Sequence, residues 1–173
     1  MRRPASSTPA GLRRAISESV EAARAEDADR FGEAASRLAV QDPHRLVLVQ
    51  AGVIRSLLEE LHPDGLSSAD AQHVLRRCLT WAASWYPQAD PGVLVLVLTG
   101  ALGLTGSAEP AASDSDSEAD TDASVPAAAG PTALSEGAAL LIGDLLGASG
   151  SPLAGYLDAA LAELERAETI EMP

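Results

Sequence analysis

The run 107-SAEPAASDSDSEADTDASVPAAAGP-131 contains no basic residue and no apolar stripe, so it divides the chain into two blocks that must find their cores around it. The charge is divided at the same place. Residues 1–104 carry 11 Arg against 12 acidic residues, whereas residues 105–173 carry Arg166 alone against 13, so nearly all of the formal charge of −13 lies in the second block. A segment this acidic and this poor in large apolar residues cannot bury enough surface to offset the entropy of ordering it. The sequence therefore predicts a disordered acidic linker over 105–131, between a helical core at 11–104 and a helical hairpin at 132–168. Residues 1–10 are expected to be a flexible N-terminus and 169–173 a tail.

Within the first block, Leu12, Ile16, Val20, Ala23, Phe31, Ala34 and Leu38 recur at spacings near three and four, the signature of an amphipathic helix over about 11–40. Thr8-Pro9 offers a start, and the acids at 26, 27 and 29 weaken the middle of the stripe, where a kink is expected. Asp42-Pro43 reads as an N-cap followed by a first-turn proline, opening a helix over about 43–61. Its first half is apolar on most faces, which assigns it to the centre of a bundle. His62-Pro63-Asp64-Gly65 is a turn, and Ser67 or Ser68 caps a third helix, over about 68–86. Its predicted inward face is Ala71, Val74, Leu75, Cys78, Ala82 and Trp85, with Trp81 and Tyr86 at the margins. Asp90-Pro91 repeats the cap signature before the apolar stretch to residue 104. After the acidic run, residues 133–147 and 152–168 make a hairpin in which Ser151 caps and Pro152 leads the last helix. Two such helices bury too little surface to stand alone, so they should pack on the first block or on a partner. The fold class is all-α: a compact bundle of about four N-terminal helices plus a C-terminal helical hairpin.

The chemistry in the sequence is sparse. His44, His62 and His73 form no ligand motif, and one thiol, Cys78, sits on a predicted inner face, so no specific metal and no cofactor is implied. The run 114-DSDSEADTD-122 has Ala119 where a calcium loop needs Gly and Val125 where it needs Glu. The glycine-rich stretches lack a phosphate-loop ending, and the chain has no lysine at all. Global acidity argues against a nucleic-acid partner. The most apolar stretch, 92–106, has no charge and is shorter than the roughly 20 residues of a bilayer span, so stable membrane insertion is not expected and the cytoplasm is the default location.

An excess of apolar helical surface without a reactive constellation points to a non-enzymatic protein–protein interaction module, such as an adaptor, a chaperone-like factor or a regulatory subunit. The partner is another protein or a second copy of the chain. The expected surface is Val93, Val95, Leu98, Leu102, Leu140, Leu141, Leu145, Tyr156, Leu157 and Leu161. Two alternatives remain at this point. One is a small-molecule pocket or enzyme site near Trp81, Trp85, Tyr86 and His73. The other is a helix-turn-helix nucleic-acid binder built from 43–86.

Overall fold

A computed structural model describes residues 8–104 and 129–170. Residues 105–128, most of the predicted acidic linker, lie outside the described residues. Seven helices are present among the described residues. They are α1 (Pro9–Arg24), α2 (Ala28–Leu38), α3 (Pro43–Leu61), α4 (Ser68–Trp85), α5 (Pro91–Ala101), α6 (Pro131–Ser149) and α7 (Leu153–Ile170). The chain is all-α, with five helices before the acidic run and a two-helix hairpin after it.

Each N-terminal cap has a local cause. The Thr8 side chain accepts from Gly11 N, Asp42 from Arg45 N and Asp90 from Gly92 N, and a proline occupies the first turn of all three helices. Ser67 and Asp70 form a reciprocal capping box at the start of α4. The hairpin differs slightly from expectation. α6 begins at Pro131 after an uncapped Gly130, and α7 begins at Leu153 rather than Pro152. The Ser151 hydroxyl donates instead to Glu60 Oε1 at 2.9 Å, tying the hairpin turn to α3.

The predicted helix over 11–40 is two helices. Glu26 adopts a φ of 55°, the left-handed conformation normally left to Gly or Asn. Its N–H donates to Ala23 O and that of Asp27 to Ala22 O, a Schellman closure of α1. Asp27 then caps α2 by accepting from Arg30 N at 3.0 Å. The acids that looked like a weak spot in one stripe are the stop of one helix and the start of the next.

The centre of the bundle is also displaced from the expected place. α6 packs against α1, α2, α3, α4 and α5, and its residues from Gly137 to Gly143 are all buried. α3, the expected central helix, instead keeps one face in solvent. Small residues on α6 make the difference. A Cβ on Gly137 would stand 2.7 Å from Val93 Cγ1, and one on Gly143 would stand 3.2 Å from the Trp81 ring, so α5 and α4 approach closer than a side chain would allow. Gly52 plays the same part between α3 and α7, opposite Ala160. α7 is further held by ion pairs from Arg13 to Asp158 and from Arg45 to Glu168.

Candidate interaction surface

The ten residues expected to meet a partner divide sharply. Val93, Leu98, Leu140, Leu141, Leu145, Leu157 and Leu161 are buried in the chain's own core. Leu102 and Tyr156 are half-buried, and Val95 is exposed. The hairpin faces that looked unpartnered in the sequence are covered by the N-terminal helices, because the glycines and alanines of α6 let neighbours close on it from every side.

Large apolar side chains remain uncovered on α3 and α5. Val47 and Leu48 are 45% and 46% exposed, and Val95 and Leu96 are 44% and 38% exposed. α3 carries a stripe at Leu46, Val49, Val53, Ile54, Leu57 and Leu58 that is already sufficient for burial, so Val47 and Leu48 are surplus. α5 is apolar on all sides but buries only Val93, Leu94, Leu98 and Ala101. The missed signal was this surplus: more apolar residues than one buried face can use.

Between α3, α5 and the start of α6 lies a groove of about 340 Å³. Its walls include Val47, Ala51 and Ile54 of α3, Leu96 and Val97 of α5, and Leu134 of α6. One polar side chain enters it. Buried Gln50 donates from Nε2 to Ser135 O at 3.1 Å, locking α3 to α6 and satisfying its own amide. At one end, Arg55 donates from both Nε and Nη2 to Ala101 O at 3.1 Å, closing the C-terminus of α5 with a cation where the helix dipole favours one. Neither α3 from Pro43 to Leu58 nor the stretch 91–104 contains an acidic residue, so the rim of this groove is neutral to basic in a strongly acidic chain.

The aromatic residues do not make one pocket. Phe31 is fully buried and meets Trp85 and Tyr86 edge-on, at centroid distances of 5.5 and 4.9 Å. Tyr86, placed at the margin from sequence, is buried, and its hydroxyl lies 3.3 Å from Glu136 Oε2 beside a cavity of only about 50 Å³. Burial holds both the Tyr86 hydroxyl and the Glu136 carboxyl above their ordinary values. Trp81 and His73 face a separate, shallow hollow on the outside of α4. The indole N–H of Trp81 donates to Glu26 Oε1 at 3.0 Å, whereas that of Trp85 is buried with no acceptor among the described residues.

Cys78 is fully buried, and desolvation pushes its thiol up to about 12, the opposite of what a nucleophile requires. Among the described residues no group of three or more His, Cys, Asp or Glu could hold a metal, and no helix is long and apolar enough to cross a membrane. The two helices of the expected helix-turn-helix, α3 and α4, pack chiefly on other elements. α3 packs mainly on α6, α7 and α5, and α4 mainly on α6 and α5, so the two helices are held against α6 more than against each other.

No protein-family model, curated protein or solved structure matches this chain.

Proposed function

We propose that this protein is a non-enzymatic helix-binding module, which docks an amphipathic helix of another protein into the groove between α3 and α5. The observation that supports it is the pairing of two exposed large apolar side chains, Val47 of α3 and Leu96 of α5, on the two walls of one apolar groove, with Leu48 and Val95 exposed next to them on the same helices. Exposed patches of this kind are characteristic of interaction sites. α5 is 11 residues long, or about 16 Å at 1.5 Å per residue, a length matched by three turns of a partner helix. Such a partner presents apolar residues at i, i+3 or i+4, and i+7. The rim adds a sign preference: Arg55 favours an acidic residue at that end of the incoming helix.

A heterologous partner is favoured over a second copy because each copy brings a formal charge of −13, and two copies repel over the Debye length. Burial raises the Cys78 thiol, which sets this residue against a role as nucleophile.

A photo-crosslinking residue in place of Val47, introduced in the native cell, tests the reading. The expected product is an adduct with a different protein, identified by mass spectrometry, that disappears when Leu96→Glu is added while the helical circular-dichroism spectrum is unchanged. Adducts only between copies of the chain would replace the heterologous partner with self-association. No adduct that depends on Leu96 would overturn the groove as a protein-binding site.

A further inference from the structure

The groove between α3, α5 and α6 has a floor and a rim that differ in kind. Gln50, Ile54, Ala101 and Ala138 are buried and make the floor, whereas Val47 and Leu96 are exposed and make the rim. Gln50 is 2% exposed and lies one helical turn from both Val47 and Ile54, so its side chain shares their face of α3. The two ends of its amide are used unequally. Nε2 donates to Ser135 O at 3.1 Å, which fixes the orientation of the group, because a flipped amide would set two carbonyl oxygens against each other. Oε1 accepts no hydrogen bond among the described residues. It is not walled in either. Trp85 Nε1 is the one fully enclosed side-chain polar atom without a partner among the described residues, so Oε1 opens onto the groove that Gln50 lines. We propose that this groove is a binding site for a small, uncharged, mostly aliphatic molecule with a single O–H or N–H donor, which Gln50 Oε1 accepts.

Size narrows the ligand first. A volume of about 340 Å³ lies at the small end of the range for ligand sites, about 300–1,000 Å³. At about 30 Å³ per non-hydrogen atom, the share of one water molecule, it holds roughly ten such atoms. From Val47 to Ile54 the α3 wall runs about 10 Å at 1.5 Å per residue, a length that suits an unbranched chain. Small residues make this room. Gly137 and Gly143 are pressed by side chains of neighbouring helices, whereas a Cβ on Gly100, in the α5 wall, would meet nothing within 4 Å.

Polarity then decides between an alcohol and a fatty acid. No charged side chain lines the groove among the described residues, so a carboxylate would be desolvated there without a partner. Its oxygens would also face Oε1, acceptor against acceptor. Arg55, at one end, is committed through Nε and Nη2 to Ala101 O rather than to the floor. A hydroxyl or an amide N–H supplies the donor that Oε1 lacks, and the aliphatic remainder covers Ile54, Ala101 and Ala138. This goes beyond helix docking, because a helix uses the exposed rim and the small molecule uses the buried floor, whether or not a protein covers it.

The test titrates the full chain with octanol, with its isomer heptyl methyl ether and with octanoate, following the Ile54 methyl and the Gln50 side-chain amide by NMR. The ether keeps the size and the oxygen of octanol but has no donor. Octanol binds saturably with a Kd of about 0.1–1 mM, shifting both resonances while the Ile142 methyl, in the enclosed part of α6, stays in place. The ether binds about three- to tenfold more weakly, the worth of one neutral hydrogen bond, and octanoate more weakly than octanol. Gln50→Leu removes the acceptor and brings alcohol and ether to equal affinity. Gly100→Leu starts from an open Cβ position, fills the groove and weakens octanol at least about tenfold. If circular dichroism shows Gln50→Leu unfolded, the alcohol–ether ratio in the unmodified chain and Gly100→Leu decide the matter. Equal affinity for alcohol and ether in the unmodified chain, tighter binding of octanoate, unsaturable binding, or indifference to Gly100→Leu would overturn the proposal. The titration needs no partner protein, so its outcome is independent of the crosslink at Val47.

Discussion

α5 and α6 are both nearly uncharged helices, and the more apolar of the two is the one left partly in solvent. α5 reads PGVLVLVLTGA and has no charged side chain, yet Val95 and Leu96 remain exposed. α6 reads PTALSEGAALLIGDLLGAS, includes Glu136 and Asp144, and is enclosed by five neighbours. Hydropathy does not rank their burial; shape does. α5 carries large apolar side chains on every face but packs on α3, α4 and α6 through one face only, whereas Gly137, Ala138, Ala139 and Gly143 let helices close on α6 from several sides. The two acids of α6 are accommodated at its edges, Asp144 on Arg77 and Glu136 against the Tyr86 hydroxyl. Apolar excess on α5 is therefore available for a partner, whereas that on α6 is spent within the chain.

The contrast is broken most easily by truncating one leucine on each helix. Leu141→Ala, in the enclosed segment, should cost about 2–5 kcal/mol in urea unfolding, because it combines lost transfer energy with a cavity. Leu96→Ala, on the open face, should cost within about 0.5 kcal/mol of nothing. Similar losses at the two positions would mean that the faces are assigned incorrectly. A smaller effect separates two glycines. Gly137→Ala gains about 1 kcal/mol of helix propensity but meets Val93 Cγ1, and overpacking typically costs about 1–3 kcal/mol, so the net change is destabilising. Val93→Ala in the same chain should relieve the clash, giving a coupling that a double-mutant cycle measures. Gly155→Ala on α7, with nothing within 4 Å, should instead stabilise by about 0.5–1 kcal/mol.

The smallest effect concerns pH. Burial raises the Glu136 carboxyl above the ordinary carboxylate value, partly offset by its hydrogen bond to Tyr86. The folded state then binds more protons than the unfolded state, so this group's contribution is fully present below its unfolded pKa, about 4.3, and declines as pH rises through the raised folded value. Glu136→Gln should flatten the stability profile in that window while leaving α5 exposed. An unchanged profile would show that the Glu136–Tyr86 contact is wetter than its burial indicates.

Much of this architecture was legible in the residues. Asp42-Pro43, Asp90-Pro91 and Ser67 fixed three helix starts, because a side-chain acceptor before a first-turn proline or acid has few other uses. The α1–α2 break was only partly visible. No Gly or Pro marks it, and a glutamate takes the left-handed position, so the surviving signal was Asp27 followed by acidic Asp29 in the first turn of α2. The interaction surface was the least legible. Leu140, Leu141 and Leu157 have the periodicity of an interface, but their use depends on which helices meet α6, and one-dimensional spacing does not encode that. Tyr86 was misplaced for a related reason, since Phe31 from a distant helix draws it inward.

The central claim, that α5 offers an open apolar face while α6 is closed by its neighbours, is tested most directly by thiol labelling under native conditions. Leu96→Cys and Leu141→Cys are each made in a Cys78→Ala background and reacted with a maleimide alongside the unmodified chain. The thiol at 96 is expected to react at a rate comparable to a small free thiol. The thiol at 141 and native Cys78, which is fully buried, should react only at the rate of unfolding. Equal protection at 96 and 141, or faster labelling at 141, would contradict it.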